Sequence, residues 1–489
     1  MNKNLQSDLQ QVFNLFRLPG MAVAVLQKGE VVFNQGFGYA NLETQQPFTD
    51  ETVGLVASVT KSFTAGLVGC LVDRGLVEWT KPVRDYIPTF KMMDPFATKE
   101  VTLEDMLCHR TGLPYHENML AHGVGRELAN SGREFRADLL RRMAHFDPSS
   151  SFRSHFQYQD IVYSCVGAIV EEVTGRDYEE LVDEYLLQPL GMAVSTYDRA
   201  KARESGKLAQ SYALIEDAIQ PIAFCDTRYI APSAGLYSTV QEMTQWLKLQ
   251  LSGGRYNNKE IISTESLAWI HGPHMLENRD SGLGAGITTY GQGWRQNYIH
   301  GELVVTHGGS FNGHRTFVGF IPERDAGVVV FTNLNLTEGS SAAGMIALDH
   351  IVNVENADAR LAFFQQRTHF FRNRDKEEEQ AFGEGRNLQN PPTHRLEAYQ
   401  GNYTHPGYGK FVVELRGETL YQSYDGRTFP LVPYNGNTFA SHFQSTENHL
   451  LNMTFTFETT APDQATQSNI VALRVPLIPD IPTPRFTKV

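Results

Sequence analysis

The chain has 489 residues, 41% of them apolar and 20% charged, the profile of a soluble globular protein with a sizeable core rather than of a disordered or collagen-like chain. At roughly 150 residues per domain, two or three domains are expected. Lys+Arg 42 against Asp+Glu 55 leaves a net charge of −13, which argues against a nucleic-acid partner and against an anionic membrane, both of which need a basic face.

The polar start Met1–Asp8 lacks the basic and apolar segments of a signal peptide, and no run of about 18 apolar residues marks a span. The expectation is a soluble, cytoplasmic protein. The sequons at Asn335, Asn402 and Asn452 read as chance matches. Cys70, Cys108, Cys165 and Cys225 are far apart and show no zinc spacing, so free thiols in a reducing compartment are expected.

Residues 5–17 carry Leu9, Val12, Phe13 and Phe16 at helical spacing. Met21–Leu26 and Glu30–Phe33 then read as two strands around Gln27-Lys28-Gly29, a hairpin with a glycine turn. From 58 to 75 the period becomes helical, with Phe63, Leu67, Cys70 and Leu71 on one face and Gly75 as a stop. Further helices are expected over Leu103–Cys108, Phe135–His145, Ile161–Thr174, Tyr178–Leu187 and Val240–Leu251. Strands return at Leu303–Thr306, Arg315–Ile321 and Gly327–Thr332, and a helix follows at about 340–356. Strands at both ends around a helical middle predict an α+β fold, one antiparallel sheet flanked by helices with an inserted all-helical region.

The dense charge of 370–396, with Pro391-Pro392, reads as a linker. After it come short alternating runs spaced about ten residues apart, the pattern of a small all-β barrel or sandwich. The expected domains are therefore 1–365, a linker at 366–394, and 395–489.

The sharpest chemical signal is Ala57-Ser58-Val59-Thr60-Lys61. Positions i and i+3 share a helix face, so the Ser58 hydroxyl and the Lys61 amine can meet. A lysine desolvated against a core can serve as the base that a serine nucleophile needs, and the helix N-terminus offers N–H groups to an oxyanion. A lone Ser-x-x-Lys would ordinarily be a helix cap beside a solvated lysine.

Other segments accompany it in order. They are Gly36-Phe37-Gly38-Tyr39-Ala40-Asn41, Leu107-Cys108-His109-Arg110-Thr111-Gly112-Leu113-Pro114, Ala231–Thr239 and Tyr290-Gly291-Gln292-Gly293-Trp294. Over residues 10–355 the chain resembles the serine β-lactamase and penicillin-binding-protein superfamily, especially its class C β-lactamase, esterase and D-aminopeptidase branch. That resemblance implies an acyl-Ser58 intermediate, with Lys61 and Tyr158 moving the proton. Tyr158-Gln159-Asp160 stands where the family has Tyr-x-Asn. An ionised Asp160 cannot donate to a substrate carbonyl, but can hold Lys61 or bind a donor on the substrate. His307-Gly308-Gly309-Ser310 stands where classical members have Lys-Thr-Gly. His307 there resembles the esterase and D-aminopeptidase branch, Gly308 and Gly309 allow close approach to a ligand, and the oxyanion donors map to the N–H groups of Ser58 and Ser310. His314 and Arg315 are candidates for an anionic group, or are merely core and solvated residues.

The implied substrate is a small-molecule ester or amide, with no metal or cofactor. A homo-oligomer is left open. The tail, with Tyr399-Gln400-Gly401-Asn402-Tyr403, resembles the lipocalin-like domain that follows some members. Phe135, Leu139, Met143 and Phe146 shape an acyl pocket or pack the core. The alternatives are a non-catalytic binding protein on this fold, or an enzyme of secondary metabolism using Tyr158 and Lys61 for acid–base chemistry without acylation. The glycine cluster 282–286 lacks a dinucleotide context. His109, His116 and His122 read as loop residues rather than metal ligands.

Overall fold

The structure is a computed structural model and describes residues 3–116, 131–215, 217–278, 286–424, 426–444, 450–460, 469–478 and 480–489. His122 and residues 282–285 lie outside the described residues.

Helix α1 (Lys3–Leu15) precedes strands β1 (Gly20–Gln27) and β2 (Glu30–Asn41). The turn between the strands is the two residues Lys28-Gly29, both at positive φ (52° and 75°), as a type I′ hairpin requires. After 54 the chain becomes helical: α2 (Thr60–Asp73), α3 (Asp160–Thr174) and shorter helices between. It then returns to the sheet in β3 (Arg295–Ile299), β4 (Glu302–Phe311), β5 (His314–Ile321) and β6 (Ala326–Thr332), and closes with α4 (Gly339–Ile351) and α5 (Ala357–Glu384). The sheet has nine strands, with β3-β4-β5-β6-β1-β2 in consecutive order and β6 antiparallel to β1. The two ends of the region do therefore build one antiparallel sheet around a helical middle.

The unbroken apolar run of β1 follows from burial on both faces. Ala22, Ala24 and Leu26 pack toward the helical region with Phe63 and Leu67 of α2. Met21, Val23 and Val25 pack toward Leu9 and Val12 of α1 and Ile346 of α4. Each buried Leu or Val removes enough apolar surface to contribute about 1.5–3 kcal/mol.

Two expectations are revised. Residues 366–384, expected as linker, belong to α5, a helix of 28 residues and about 42 Å. Charge alone suggested a loop, but Glu377, Glu378, Glu379, Gln380 and Ala381 are good helix formers, and Leu361 and Phe364 bury on the sheet side. Its far end meets the tail, where the Tyr434 hydroxyl donates to the Phe382 carbonyl at 2.9 Å. The second revision concerns β4, which does not stop at Thr306 but carries His307-Gly308-Gly309-Ser310 within the strand.

The tail is a closed barrel of eight strands paired in chain order, beginning with β7 (Gly401–His405) and β8 (Gly409–Arg416). Its interior is filled by aromatic rings; Phe411 stacks on Tyr424 at 4.1 Å and meets Phe455 and Phe486 edge-on. Among the described residues no helix is long and apolar enough to cross a membrane.

Candidate active site

Ser58 stands in a 3₁₀ turn, Ala57–Val59, that leads directly into α2. Ala57 before it has φ 51°, a left-handed conformation costing an L-residue roughly 1–2 kcal/mol. Two hydrogen bonds impose it: Val56 N–H donates to the Leu236 carbonyl at 2.7 Å, and Thr316 Oγ1 on β5 donates to the Val56 carbonyl at 2.8 Å. Gly309 makes this approach sterically possible, since a Cβ there would lie 2.2 Å from Thr316 Oγ1 and 2.4 Å from the Val56 carbonyl oxygen. Gly308 has no such constraint, its nearest atom being 3.8 Å away. Only one of the two glycines is required by close packing.

Lys61, the second residue of α2, is fully buried. Its Nζ forms an ion pair with Asp160, the first residue of α3, and donates to the Ser233 carbonyl at 3.1 Å. It lies 4.6 Å above the centre of the Tyr158 ring. Burial pushes the Lys61 ammonium below its usual range and the neighbouring Arg295 adds to this, while Asp160 opposes it. The Tyr158 phenol is pushed well above its usual range by burial and then by Asp160, while Arg295 and the nearby Ser58 hydroxyl work the other way. Ser58, Lys61, Tyr158 and Asp160 thus converge from two distant segments.

His307 borders the same space, its ring 6.4 Å from that of Tyr158. Burial, Arg295 and Lys61 hold it well below the ordinary histidine range, so it is neutral. Beyond Thr306, β3 no longer pairs with β4, and among the described residues no strand covers that edge of His307–Phe311. Ser310 follows Gly309 on this edge. His314 and Arg315, on β5, point to opposite faces of the sheet as strand neighbours must. His314 is buried beside Phe224 with its pKa lowered by burial to about 4, so it is not a cation for substrate. Arg315 stands in register with Ser310, and its Nε is buried without a hydrogen-bond partner. Phe135, Leu139, Met143 and Phe146 are all core residues.

Sequence reasoning missed the second layer. His109, read as a loop histidine, is buried, its ring 4.5 Å from Tyr158 and 4.9 Å from Tyr290. The Gln159 N–H donates to its Nδ1 at 3.0 Å, so the residue after Tyr158 is tied to it. Arg295 is clamped by Glu277 at 2.8 and 3.0 Å and faces the rings of Tyr158 and Tyr290. The signal was present: Tyr290 opens the Tyr290–Trp294 landmark and Arg295 follows it, and His109 sits within another. Phe156, Arg295 and Gly308 also line a cavity of about 480 Å³ that continues behind the strand to Phe317, Met345 and Phe364.

Residues 10–353, which include Ser58, Lys61, Tyr158, Asp160, His307 and Arg295, match the β-lactamase family model. The chain belongs to the β-lactamase family. Residues 386–475 match the model of a domain of unknown function (DUF3471). As a β-lactamase family member the chain is 25% identical over 437 residues to the unguisins hydrolase ungD' of Aspergillus campestris, covering 84% of this chain and 78% of that one. It is 23% identical over 335 residues to protein flp of Staphylococcus aureus strain MW2, 68% and 62% of the two chains, so it spans under two thirds of flp. Among solved structures, the octameric penicillin-binding protein homologue of Pyrococcus abyssi matches 99% of both chains at TM-score 0.63 and 24% identity. EstCE1, a hydrolase with promiscuous acyltransferase activity, covers 72% of this chain and 97% of its own at TM-score 0.60 and 20% identity. A class C β-lactamase from Rhodobacter sphaeroides covers 72% and 100% at TM-score 0.58 and 22% identity. The family is one of β-lactamase-like hydrolases, ungD' is itself named a hydrolase, and the solved structures share the fold.

Proposed function

We propose that the protein is a serine hydrolase or acyltransferase acting on a small-molecule ester or amide through an acyl-Ser58 intermediate. The observation that carries this reading is the buried Lys61 amine, three residues after Ser58, lying over the Tyr158 ring and paired to Asp160. Burial favours the neutral amine and the neutral phenol, the state in which Lys61 can accept a proton. As Ser58 attacks the carbonyl carbon, its proton passes to Tyr158 and that of Tyr158 to Lys61, so the new charge is an ammonium beside the Asp160 carboxylate. The N–H groups of Ser58 and Ser310 hold the oxyanion. Collapse of the tetrahedral species breaks the bond to the alcohol or amine, which leaves with the proton returned through Tyr158. Water, or another alcohol or amine, then releases the acyl group.

His307 supports esterase or D-aminopeptidase-like substrates over β-lactams, since the neutral ring offers no cation for a substrate carboxylate at that position. Arg315, beside Ser310, is the residue placed for an anionic substituent. The cavity behind Gly308 takes an apolar portion of the substrate.

Incubation with a fluorophosphonate followed by intact-mass measurement tests the proposal. One adduct is expected on the wild type and none on Ser58→Ala, with loss of chromogenic ester turnover and an unchanged unfolding midpoint. Turnover surviving in Ser58→Ala would mean acid–base chemistry by Tyr158 and Lys61 without acylation. No adduct with any acylating probe would mean a binding protein.

A further inference from the structure

The tail barrel meets the catalytic domain at one point that bears on the site. The tip of the β7–β8 hairpin, Pro406-Gly407-Tyr408, packs against the contacting rings of Phe146 and His116, which lie 5.0 Å apart. Tyr408 is fully buried there, its ring stacked on Phe146 at 5.5 Å and on His116 at 6.1 Å. The fit is close: Arg142 donates to the Gly407 carbonyl at 3.2 Å, and a Cβ on Gly407 would lie 3.0 Å from His145. The tip is also held to its own barrel, since the Tyr424 hydroxyl donates to the Tyr408 carbonyl at 2.5 Å and the Gly407 and Tyr408 amides donate to His405 Nδ1.

His116 hands this contact on. Its Nδ1–H donates to the Pro114 carbonyl at 2.5 Å, and the Gln159 side-chain Nε2, packed 3.3 Å from that nitrogen, donates to the adjacent Leu113 carbonyl at 2.8 Å, so both side chains are tied to the 113–114 backbone. Gln159 is fully buried and lies between Tyr158 and Asp160, the two residues that face Ser58 and Lys61. We propose that the C-terminal barrel is a positioning element of the active site, its Tyr408 ring fixing His116 and, through Gln159, the Tyr158–Asp160 segment. This gives the barrel a role beyond the proposed acyl chemistry. It rests on that chemistry only where turnover is the readout.

The test uses the full chain carrying Tyr408→Ala, Tyr408→Leu or Tyr408→Phe, read by ester kinetics and by hydrogen exchange of the peptide covering 156–160. The Ala and Leu variants, which lose the flat face, should lose about tenfold or more in kcat with KM changed less than about twofold. Exchange should rise at 156–160 while α2 stays protected. Tyr408→Phe, which keeps the ring, should behave as wild type in both. Wild-type kcat and wild-type exchange at 156–160 in a folded Leu or Ala variant would overturn the proposal. So would an exchange increase spread evenly over the catalytic domain, which marks global destabilisation. If even the wild type hydrolyses no ester, the acyl reading fails and the exchange comparison alone decides this one.

Discussion

Tyr290 donates its phenolic proton to Nε2 of His307 at 2.9 Å, because Nδ1 of that ring faces the Gly308 carbonyl at 2.7 Å and must carry the ring's one proton. The ring is therefore a neutral acceptor locked from both sides. His307→Lys, which restores the residue type of the Lys-Thr-Gly pattern, would leave Tyr290 without an acceptor and bury an ammonium near Arg295 and Lys61. The expected result is a loss of about 3–5 kcal/mol in urea unfolding, the cost of an unpaired buried charge, together with lower ester turnover. Equal or greater stability in the variant would show that the neutral pair is not what holds this corner.

Among the described residues, buried neutral histidines make stability depend on pH. His109, His116, His307 and His314 are each at most 2% exposed, and burial lowers the pKa of all four, to about 4 for His116 and His314. Unfolding returns them to about 6.5. Below that value the unfolded chain binds more protons than the folded one, so stability is complete above about pH 6.5 and falls as the pH drops toward 5. Each histidine contributes a slope of at most about 1.4 kcal/mol per pH unit, and the four together at most about 5.6. Urea midpoints at pH 7.5, 6.5 and 5.5 measure it, and His314→Gln should lessen the slope by about one proton. A midpoint constant across that range contradicts the burial of these rings.

Asp160 opposes the burial that lowers the Lys61 pKa. Asp160→Asn, the family's usual residue, removes that opposition, so the Lys61 pKa falls further. The acid limb of the kcat/KM profile should move to lower pH, because the amine is then neutral at lower pH. The plateau should fall by about 10–100-fold, since the ammonium formed during acylation loses its carboxylate. A profile that keeps its acid limb would remove Lys61 as the group that titrates.

Much of this was legible in the sequence because each signal had a local physical cause. The apolar run of β1 and the Lys28-Gly29 turn depend on near neighbours, and the structure places them as expected. The pairing of β1 with β6, about 300 residues apart, followed from having strands only at the two ends. What could not be read was non-local. The charged run 370–384 is helical because helix propensity outweighs its polarity and it extends a helix whose earlier turns are anchored by the buried Leu361 and Phe364. The strand continues through Gly308 and Gly309 because β5 pairs with it on one side, although glycine-rich text reads as a strand end. His109 and Arg295 acquire meaning only when Tyr158 and Tyr290 fold against them, and no spacing in the chain encodes that.

The two glycines of β4 give a paired test of the site's tightest contact. In Gly309→Ala the new methyl would fall 2.2 Å from Thr316 Oγ1 and 2.4 Å from the Val56 carbonyl, so either β4 moves outward or residues 56–57 shift and take Ser58 with them. A displacement of about 1 Å at a nucleophile costs on the order of 100-fold in rate, and the overpacked strand costs about 1–3 kcal/mol in stability. Gly308→Ala meets nothing closer than 3.8 Å and should leave the unfolding midpoint and the kcat for acetyl esters near wild type, while its methyl, on the cavity wall, raises KM for bulky esters. Kinetics of both variants on a short and a bulky p-nitrophenyl ester make the comparison. If the Gly309 variant turns over the short ester like wild type, the strand does not press on the residues that carry Ser58. If instead the two variants are equally impaired, the difference between the glycines lies outside the packing described here.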